Sequence, residues 1–328
     1  MSIASIGVVG GGAWGTALAM VAAEGGETLL WAMEPEVVES IGSAHENRMF
    51  LPGIPLDPAI GATANLADLA ACDALLVVTP AQHLRATLAA LPPLAMPLVL
   101  CAKGIEQASG AFMHEAAAAA QPGAPLAVLS GPTFAHEVAA RLPAAVTLAT
   151  ADPVVGADLI SRLACPWFRP YLSDDVAGAE IGGAVKNVLA IACGVVEGRG
   201  IGLNARAALI ARGFAEMTRF GLAKGARLET LAGLSGLGDL VLTCSSTSSR
   251  NFSLGKGLGE GRSAADLLAD RRTVAEGAHT APVLLREAKA AGVDMPIVAA
   301  VCALLAGETQ AADAINALLA RPLRSEWA

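Results

Sequence analysis

The sequence of 328 residues has few aromatic residues (4%) and few charges (16%), against 54% hydrophobic residues and a mean hydropathy of +0.54. That balance excludes a disordered chain and requires a core of Ala, Leu, Val and Ile. Basic residues are outnumbered, 22 against 30 acids, and the nearest approach to a basic run is the pair Arg271 and Arg272. Nucleic acid is therefore not an expected partner, because neutralising phosphates takes a basic face. No Lys or Arg precedes Arg48, so neither a secretory signal, which has a basic start, nor an Arg-rich transit peptide is expected. Long apolar runs are missing too. Residues 116–135 carry no charge but contain Pro122, Gly123, Pro125, Gly131 and Pro132, and residues 87–102 contain Pro92, Pro93 and Pro97. No membrane span is expected, and a cytoplasmic location is. The six cysteines (Cys72, Cys101, Cys165, Cys193, Cys244 and Cys302) include no Cys-x-x-Cys spacing, so reduced, mostly buried thiols are expected rather than a disulfide framework. The five histidines share no metal-ligand spacing, no carboxylate pair suits glycoside hydrolysis, and there is no Gly-x-Ser-x-Gly elbow; no metal is expected.

What is present divides the chain in two. In the first half, short continuous apolar runs at 3–10, 28–31, 74–79, 98–102 and 126–130 alternate with Ala- and Leu-rich helical stretches, among them 82–90 and 111–120. Further strands are expected at 145–150 and 168–172, with a helix at 154–163 between them. Such alternation predicts an α/β fold, a mostly parallel sheet covered on both faces. After about residue 178 strand signals nearly vanish. Residues 178–196, 205–224, 263–268, 281–291, 296–306 and 311–319 read as helices, with Pro282 and Pro296 placed where a first turn tolerates proline. The expectation is a Rossmann-type dinucleotide-binding domain over 1–178 and an all-helical substrate-binding and catalytic domain over 179–328.

Gly10-Gly11-Gly12-Ala13-Trp14-Gly15 fits Gly-x-Gly-x-x-Gly, with a strand before it and a helix after it. In that context Gly10 permits the tight turn, Gly12 lets backbone approach a pyrophosphate, and Gly15 allows helix and strand to pack closely. The helix start offers free N–H groups to the phosphates. A ligand-free glycine turn is the plainer alternative. Glu34, 19 residues beyond Gly15, either accepts from the adenosine ribose hydroxyls or caps the helix that Pro35 begins. Lysine is scarce, five against 17 arginines, and two lysines lie among apolar or small residues. Lys103 follows the strand at 98–102, at the sheet edge where such folds bind ligands. Lys186 lies in Gly-Gly-Ala-Val-Lys-Asn-Val, where desolvation could take its proton, which it would not do to an arginine. The plain alternative for both is an ordinary snorkelling lysine. Ser130-Gly131-Pro132-Thr133-Phe134-Ala135 is a small-residue turn after a strand. Thr243 and Ser248-Ser249-Arg250-Asn251 form a polar stretch suited to capping a helix or holding an anion, although a lone arginine is more often simply solvated.

Taken together and in order, these segments closely resemble the bacterial NAD(P)-dependent sn-glycerol-3-phosphate dehydrogenase family. The resemblance also takes in Leu-Pro-Gly from Leu51, the ten residues from Asn204, Gly-Leu-Gly-Asp-Leu-Val-Leu-Thr-Cys from Gly236, Val-Ala-Glu-Gly from Val274 and Met295-Pro296. It implies reversible hydride transfer between NAD or NADP and C2 of dihydroxyacetone phosphate, giving sn-glycerol 3-phosphate for glycerophospholipid synthesis. It assigns catalysis to Lys186 as general acid and base, with Lys103 and Asp239. It implies substrate contacts at Lys103, Gly131, Thr133, Lys186, Asn187, Asp239, Thr243, Ser249, Arg250 and Asn251. Cofactor contacts are implied at Gly10, Gly12, Ala13, Trp14, Gly15, Glu34, Lys103, Ala135, Arg250, Val274 and Glu276. The apolar helical half makes a homodimer the expected assembly.

Two departures matter. Ala13 stands where many relatives have Ser, removing one side-chain bond to a cofactor phosphate. Met33 stands near a position that is often basic, and with Glu34 beside it NAD is expected over NADP. A dehydrogenase of β-hydroxy acids or ketopantoate shares the glycine turn and catalytic lysine; Thr243 and Ser249-Arg250-Asn251 favour a phosphate instead. A cofactor-binding regulator without turnover should lack Lys103 and Lys186, and both are present.

Overall fold

The computed structural model describes residues 3–269 and 275–322. Packing divides the chain into two compact units, Met1–Ala102 with Ala111–Ala179, and Lys103–Gly110 with Glu180–Ala328. The short excursion Lys103–Gly110 into the second unit carries no sequence signal that announces it.

The first unit contains β1 (Ser5–Val9), α1 (Ala13–Ala23), β2 (Glu27–Trp31), α2 (Pro35–Ala44), β3 (Glu46–Asn47), β4 (Leu51–Pro55), β5 (Ile60–Thr63), β6 (Ala74–Val77), α3 (Leu84–Ala89), β7 (Leu98–Leu100), α4 (Met113–Ala120), β8 (Leu126–Ser130), α5 (Ala135–Ala139), β9 (Ala144–Ala149), α6 (Pro153–Leu163) and β10 (Phe168–Ser173). Eight strands form one sheet in the order β10-β9-β8-β7-β6-β1-β2-β5. Every pairing is parallel except β8 with β9. The order reverses direction at β1, which has β2 on one side and β6 on the other. In such sheets the crevice beyond the carboxyl ends of the strands at that point receives the ligand. Strands β6 and β7 are buried along their whole length. This is why they read as unbroken apolar runs. Two apolar clusters flank the sheet, one containing Leu18, Val21, Ile41 and Phe168, the other Leu84, Leu88, Met113 and Ala117. Strand β5 and the β3–β4 hairpin were not expected, and each is too short to show a period.

The second unit takes α7 (Val176–Gly198) from Glu180 onward, then α8 (Leu203–Ala223), α9 (Leu228–Leu231), α10 (Asp239–Thr243), α11 (Arg250–Gly259), α12 (Ala264–Leu268), α13 (Glu276–Ala290), α14 (Pro296–Leu305) and α15 (Ala311–Leu319). Helix α7 is long and apolar enough to cross a membrane, yet its apolar window is wholly buried within the fold. Helix α11 contains Gly255, Gly257 and Gly259, poor helix formers. It forms because backbone packs on backbone: a β-carbon at Gly255 would lie 1.9 Å from the Ile191 carbonyl oxygen, and one at Gly194 would lie 2.1 Å from that of Phe252. Pro282 corrects the sequence reading. It lies inside α13, not in its first turn, because the helix begins at Glu276. The Gly277 N–H donates to Asn251 Oδ1 at 2.9 Å, anchoring a turn upstream of the proline. All six cysteines are free thiols, with Cys101, Cys193 and Cys244 buried.

Candidate active site

The glycine turn of the first unit fits a dinucleotide pyrophosphate. Gly10 has φ +124°, a conformation open to glycine, and its N–H donates to the Trp31 carbonyl at 3.0 Å. A β-carbon at Gly15 would lie 1.8 Å from the Gly10 carbonyl oxygen, whereas one at Gly12 would meet nothing within 4 Å. Gly12 thus leaves open the space that a phosphate needs. Helix α1 starts there with no side-chain cap and no acid in its first turn, so its leading N–H groups and positive end suit an anion. Trp14 Nε1, Thr79 Oγ1 and Ser130 Oγ are buried without a hydrogen-bond partner; Thr79 lies two residues past the carboxyl end of β6, and Ser130 is the last residue of β8. Orphaned polar groups of this kind cost stability unless a ligand or water satisfies them.

A residue missed at the sequence level holds this turn. Asn47, fully buried on β3, donates from Nδ2 to the Gly11 carbonyl and to Thr16 Oγ1, both at 2.7 Å, and accepts the Phe50 N–H at 3.1 Å. No local motif marks it, because the two groups it donates to lie more than 30 residues away. Glu34 precedes α2 as its capping residue, but its side chain makes no capping bond. Met33 beside it is 73% exposed. Arg48, the first cation in the chain, is exposed and bonded to Glu46 at 3.2 Å. Gly131 and Thr133 occupy the turn after β8, and Ala135 opens α5. A β-carbon at Gly131 would lie 2.8 Å from Val146 Cα, and Thr133 Oγ1 donates to the Gly131 carbonyl at 3.3 Å.

In the second unit, residues far apart in sequence converge on one carboxylate. Asp239 is completely buried; its Oδ1 accepts from Lys186 Nζ and its Oδ2 from Lys103 Nζ, each at 2.6 Å. Lys186 Nζ also donates to Thr243 Oγ1 at 2.9 Å, and Thr243 Oγ1 donates to Asp239 Oδ1 at 3.3 Å. Asp239 is delivered by a π-turn over Leu234–Gly238, closed by the Gly238 N–H to the Gly233 carbonyl at 3.0 Å. Such turns recur at functional sites. The turn packs on α7 because Gly182 has no side chain: a β-carbon there would lie 2.3 Å from the Ser235 carbonyl oxygen. Burial pulls the Lys186 ammonium down to about 8, and the nearby Lys103 charge adds to this against the opposing attraction of Asp239. The direction of that shift could not be read from the sequence.

Around this core, Asn187 Nδ2 donates to the Lys103 carbonyl at 3.3 Å and Asn251 Nδ2 donates to Asn187 Oδ1 at 3.0 Å. Ser249 is buried and caps α11, its hydroxyl oxygen accepting the Phe252 N–H at 3.2 Å. Arg250 follows at the first position of that helix, exposed and, among the described residues, in no ion pair. Glu276 opens α13. Val274 lies outside the described residues. No cluster of three or more His, Cys, Asp or Glu that could hold a metal occurs among the described residues.

A glycine-turned, doubly wound sheet and a helical unit with two lysines on one buried carboxylate define the class: a dinucleotide-dependent dehydrogenase architecture. Comparison with known proteins narrows it. The N-terminal model of NAD-dependent glycerol-3-phosphate dehydrogenase matches residues 5–155 and the C-terminal model matches 175–316, so the chain belongs to that family. It is 62% identical over 326 residues to glycerol-3-phosphate dehydrogenase [NAD(P)+] 1 of Sphingopyxis alaskensis, covering 99% of each chain. It is 64% identical over 324 residues to the glycerol-3-phosphate dehydrogenase [NAD(P)+] of Erythrobacter litoralis, covering 98% of each. The crystal structure of glycerol-3-phosphate dehydrogenase from Coxiella burnetii superposes with a TM-score of 0.92 at 36% identity, over 97% of this chain and 99% of that one. A ketopantoate reductase from Ralstonia eutropha shares the fold alone, at TM-score 0.60 and 17% identity, over 92% of this chain and 97% of that one.

Proposed function

We propose that this protein reversibly reduces dihydroxyacetone phosphate to sn-glycerol 3-phosphate with NADH or NADPH, in the cytoplasm and as a homodimer, and so supplies glycerophospholipid synthesis. The observation that carries the reading is the shared carboxylate: Lys103 and Lys186 both on Asp239, with Thr243 on Lys186. When bound, the reduced nicotinamide supplies the hydride that C2 takes up. The chain's own residues do the rest. Lys186 Nζ gives a proton to the carbonyl oxygen and takes it back in the oxidative direction. Its value of about 8 suits both roles near neutral pH. Asp239 and Thr243 hold that amine in one orientation, and Lys103 adds a second positive charge for the developing alkoxide. Two ammonium groups against one carboxylate leave a net positive site for an anionic substrate. Arg250, at the start of α11, binds the phosphate, with Ser249 fixing the helix end that carries it.

The test is cofactor oxidation with dihydroxyacetone phosphate, against ketopantoate and tartronate semialdehyde. Turnover with dihydroxyacetone phosphate above the other two is expected. Faster turnover with either competitor refutes the substrate assignment, and no turnover with any of the three refutes the reaction class.

A further inference from the structure

A chain of three hydrogen bonds runs through the second unit with a polarity that cannot be inverted. One end is the Gly277 N–H in the first turn of α13, which can only donate; the other is the Lys103 carbonyl, which can only accept. Because Gly277 donates, the Asn251 atom facing it at 2.9 Å must be oxygen. Asn251 then turns its Nδ2 toward Asn187 at 3.0 Å, which makes the facing Asn187 atom oxygen as well. Asn187 is left with its Nδ2 toward the Lys103 carbonyl at 3.3 Å, where a donor is required. Both amides are buried, with 6% and 7% exposure. The joint with α13 has room for glycine alone: a β-carbon on Gly277 would lie 2.5 Å from the Asn187 carbonyl oxygen and 2.9 Å from Asn251 Oδ1. Lys103 is thereby gripped twice, at its side chain by Asp239 and at its main chain by the residue next to Lys186.

We propose that Asn187, set by Asn251 and Gly277, is a positioning residue that fixes the main chain of Lys103, not a ligand of the substrate. The proposal rests on the reading of Lys103 as a substrate-binding lysine. Adjacent residues of α7 then set both amines, Lys186 through its own Nζ and Lys103 through the Asn187 amide. The main-chain anchor of Lys103 is thereby tied to the helix that carries Lys186, while both Nζ atoms meet on Asp239.

Two variants of the full chain test this. Asn187→Leu removes the bond at nearly constant size, and Asn251→Asp keeps the Gly277 bond but turns an oxygen toward Asn187 Oδ1, reversing the polarity. In cofactor-free and substrate-free protein, trace acetylation read by mass spectrometry should rise about fivefold at Lys103 in both variants, relative to Lys186 and to the exposed Lys289, because a residue whose local restraint is lost opens more often. No change at Lys103, or an equal rise at Lys186, overturns the proposal. In the kinetic arm, Asn187→Leu should lower kcat/KM for dihydroxyacetone phosphate about tenfold in the parent and by less than about twofold on Lys103→Met, the non-additivity of residues that act through one another. A full tenfold loss on Lys103→Met overturns it too. If Lys103→Met alone leaves kcat/KM unchanged, the functional reading of Lys103 fails, and the acetylation arm still decides whether the relay positions it.

Discussion

Replacing Asp239 with Asn tests the charge arrangement at its centre. The carboxylate takes one short bond from each lysine, both at 2.6 Å. An amide offers one oxygen and one NH2, so it satisfies one ammonium and turns a donor toward the other. Unit charges 2.6 Å apart at an effective dielectric of about 20 attract by about 6 kcal/mol, an upper bound worth between four and five pH units, roughly. A third of that moves Lys186 from about 8 to about 6.5. At pH 7.5 the protonated fraction would then drop from about three quarters to about one tenth, a roughly eightfold loss of general acid before any loss of orientation. The sign follows from the roles. Reduction needs the ammonium, so the parent rate should fall as pH rises through about 8, and oxidation should rise there. The assay is kcat/KM for dihydroxyacetone phosphate from pH 6 to pH 9, read by cofactor absorbance. In Asp239→Asn the alkaline limb should move down by more than one unit, and activity should partly recover at pH 6. An alkaline limb that stays near 8 in the variant would refute the electrostatic account.

Lys186→Met should lower kcat by about 10²–10⁴ while cofactor affinity, measured by fluorescence titration, stays near the parent value; near-parental kcat would show that another group donates the proton. Arg250→Ala should cost about 10- to 150-fold in kcat/KM for dihydroxyacetone phosphate, the loss of a charge-assisted bond of roughly 1.5–3 kcal/mol. It should cost little for unphosphorylated dihydroxyacetone, and equal losses on both would show that Arg250 does not read the phosphate. NADH should give the higher kcat/KM, because Arg48, the first cation in the chain, is bonded to Glu46, and Glu34→Ala should shift the ratio toward NADPH; a tenfold parental preference for NADPH would sink this. Glu216, buried on α8, accepts the Ile297 and Val298 N–H groups at the start of α14, and burial raises it to about 7 despite those donors. Its protonated form therefore favours folding below the unfolded value near 4.5, and that contribution, of order 3 kcal/mol, is lost as pH rises toward and through about 7. Glu216→Gln should flatten the fall in Tm between pH 5 and pH 8, and parallel Tm curves for the two proteins would contradict it.

Much of the first unit was legible in the sequence because its signals are local. Unbroken apolar runs identify buried parallel strands, and the glycine spacing after the first strand needs only one turn and one helix start to make sense. Ser249 was legible only in part: the polar stretch 248–251 suited either a helix cap or an anion, and the helix it caps, α11, was not among the expected ones. The burial of Lys186 was legible as well: a scarce, desolvatable cation in an apolar helix stands out by composition and neighbours alone. Tertiary structure decided what depends on distant partners. Asp239 lies 53 residues from Lys186 and 136 from Lys103, and nothing near it in sequence says that it will hold both. Helix α11 exists against the propensity of its glycines, because only glycine lets its backbone reach that of α7. Asn47 and the Asn187–Asn251 pair look like ordinary polar residues until the fold brings a carbonyl or an N–H to each. Periodicity and turn chemistry act within a few residues and so are written along the chain; the Lys186 value near 8 arises from burial and from charges brought together by packing, and exists only once the chain has folded.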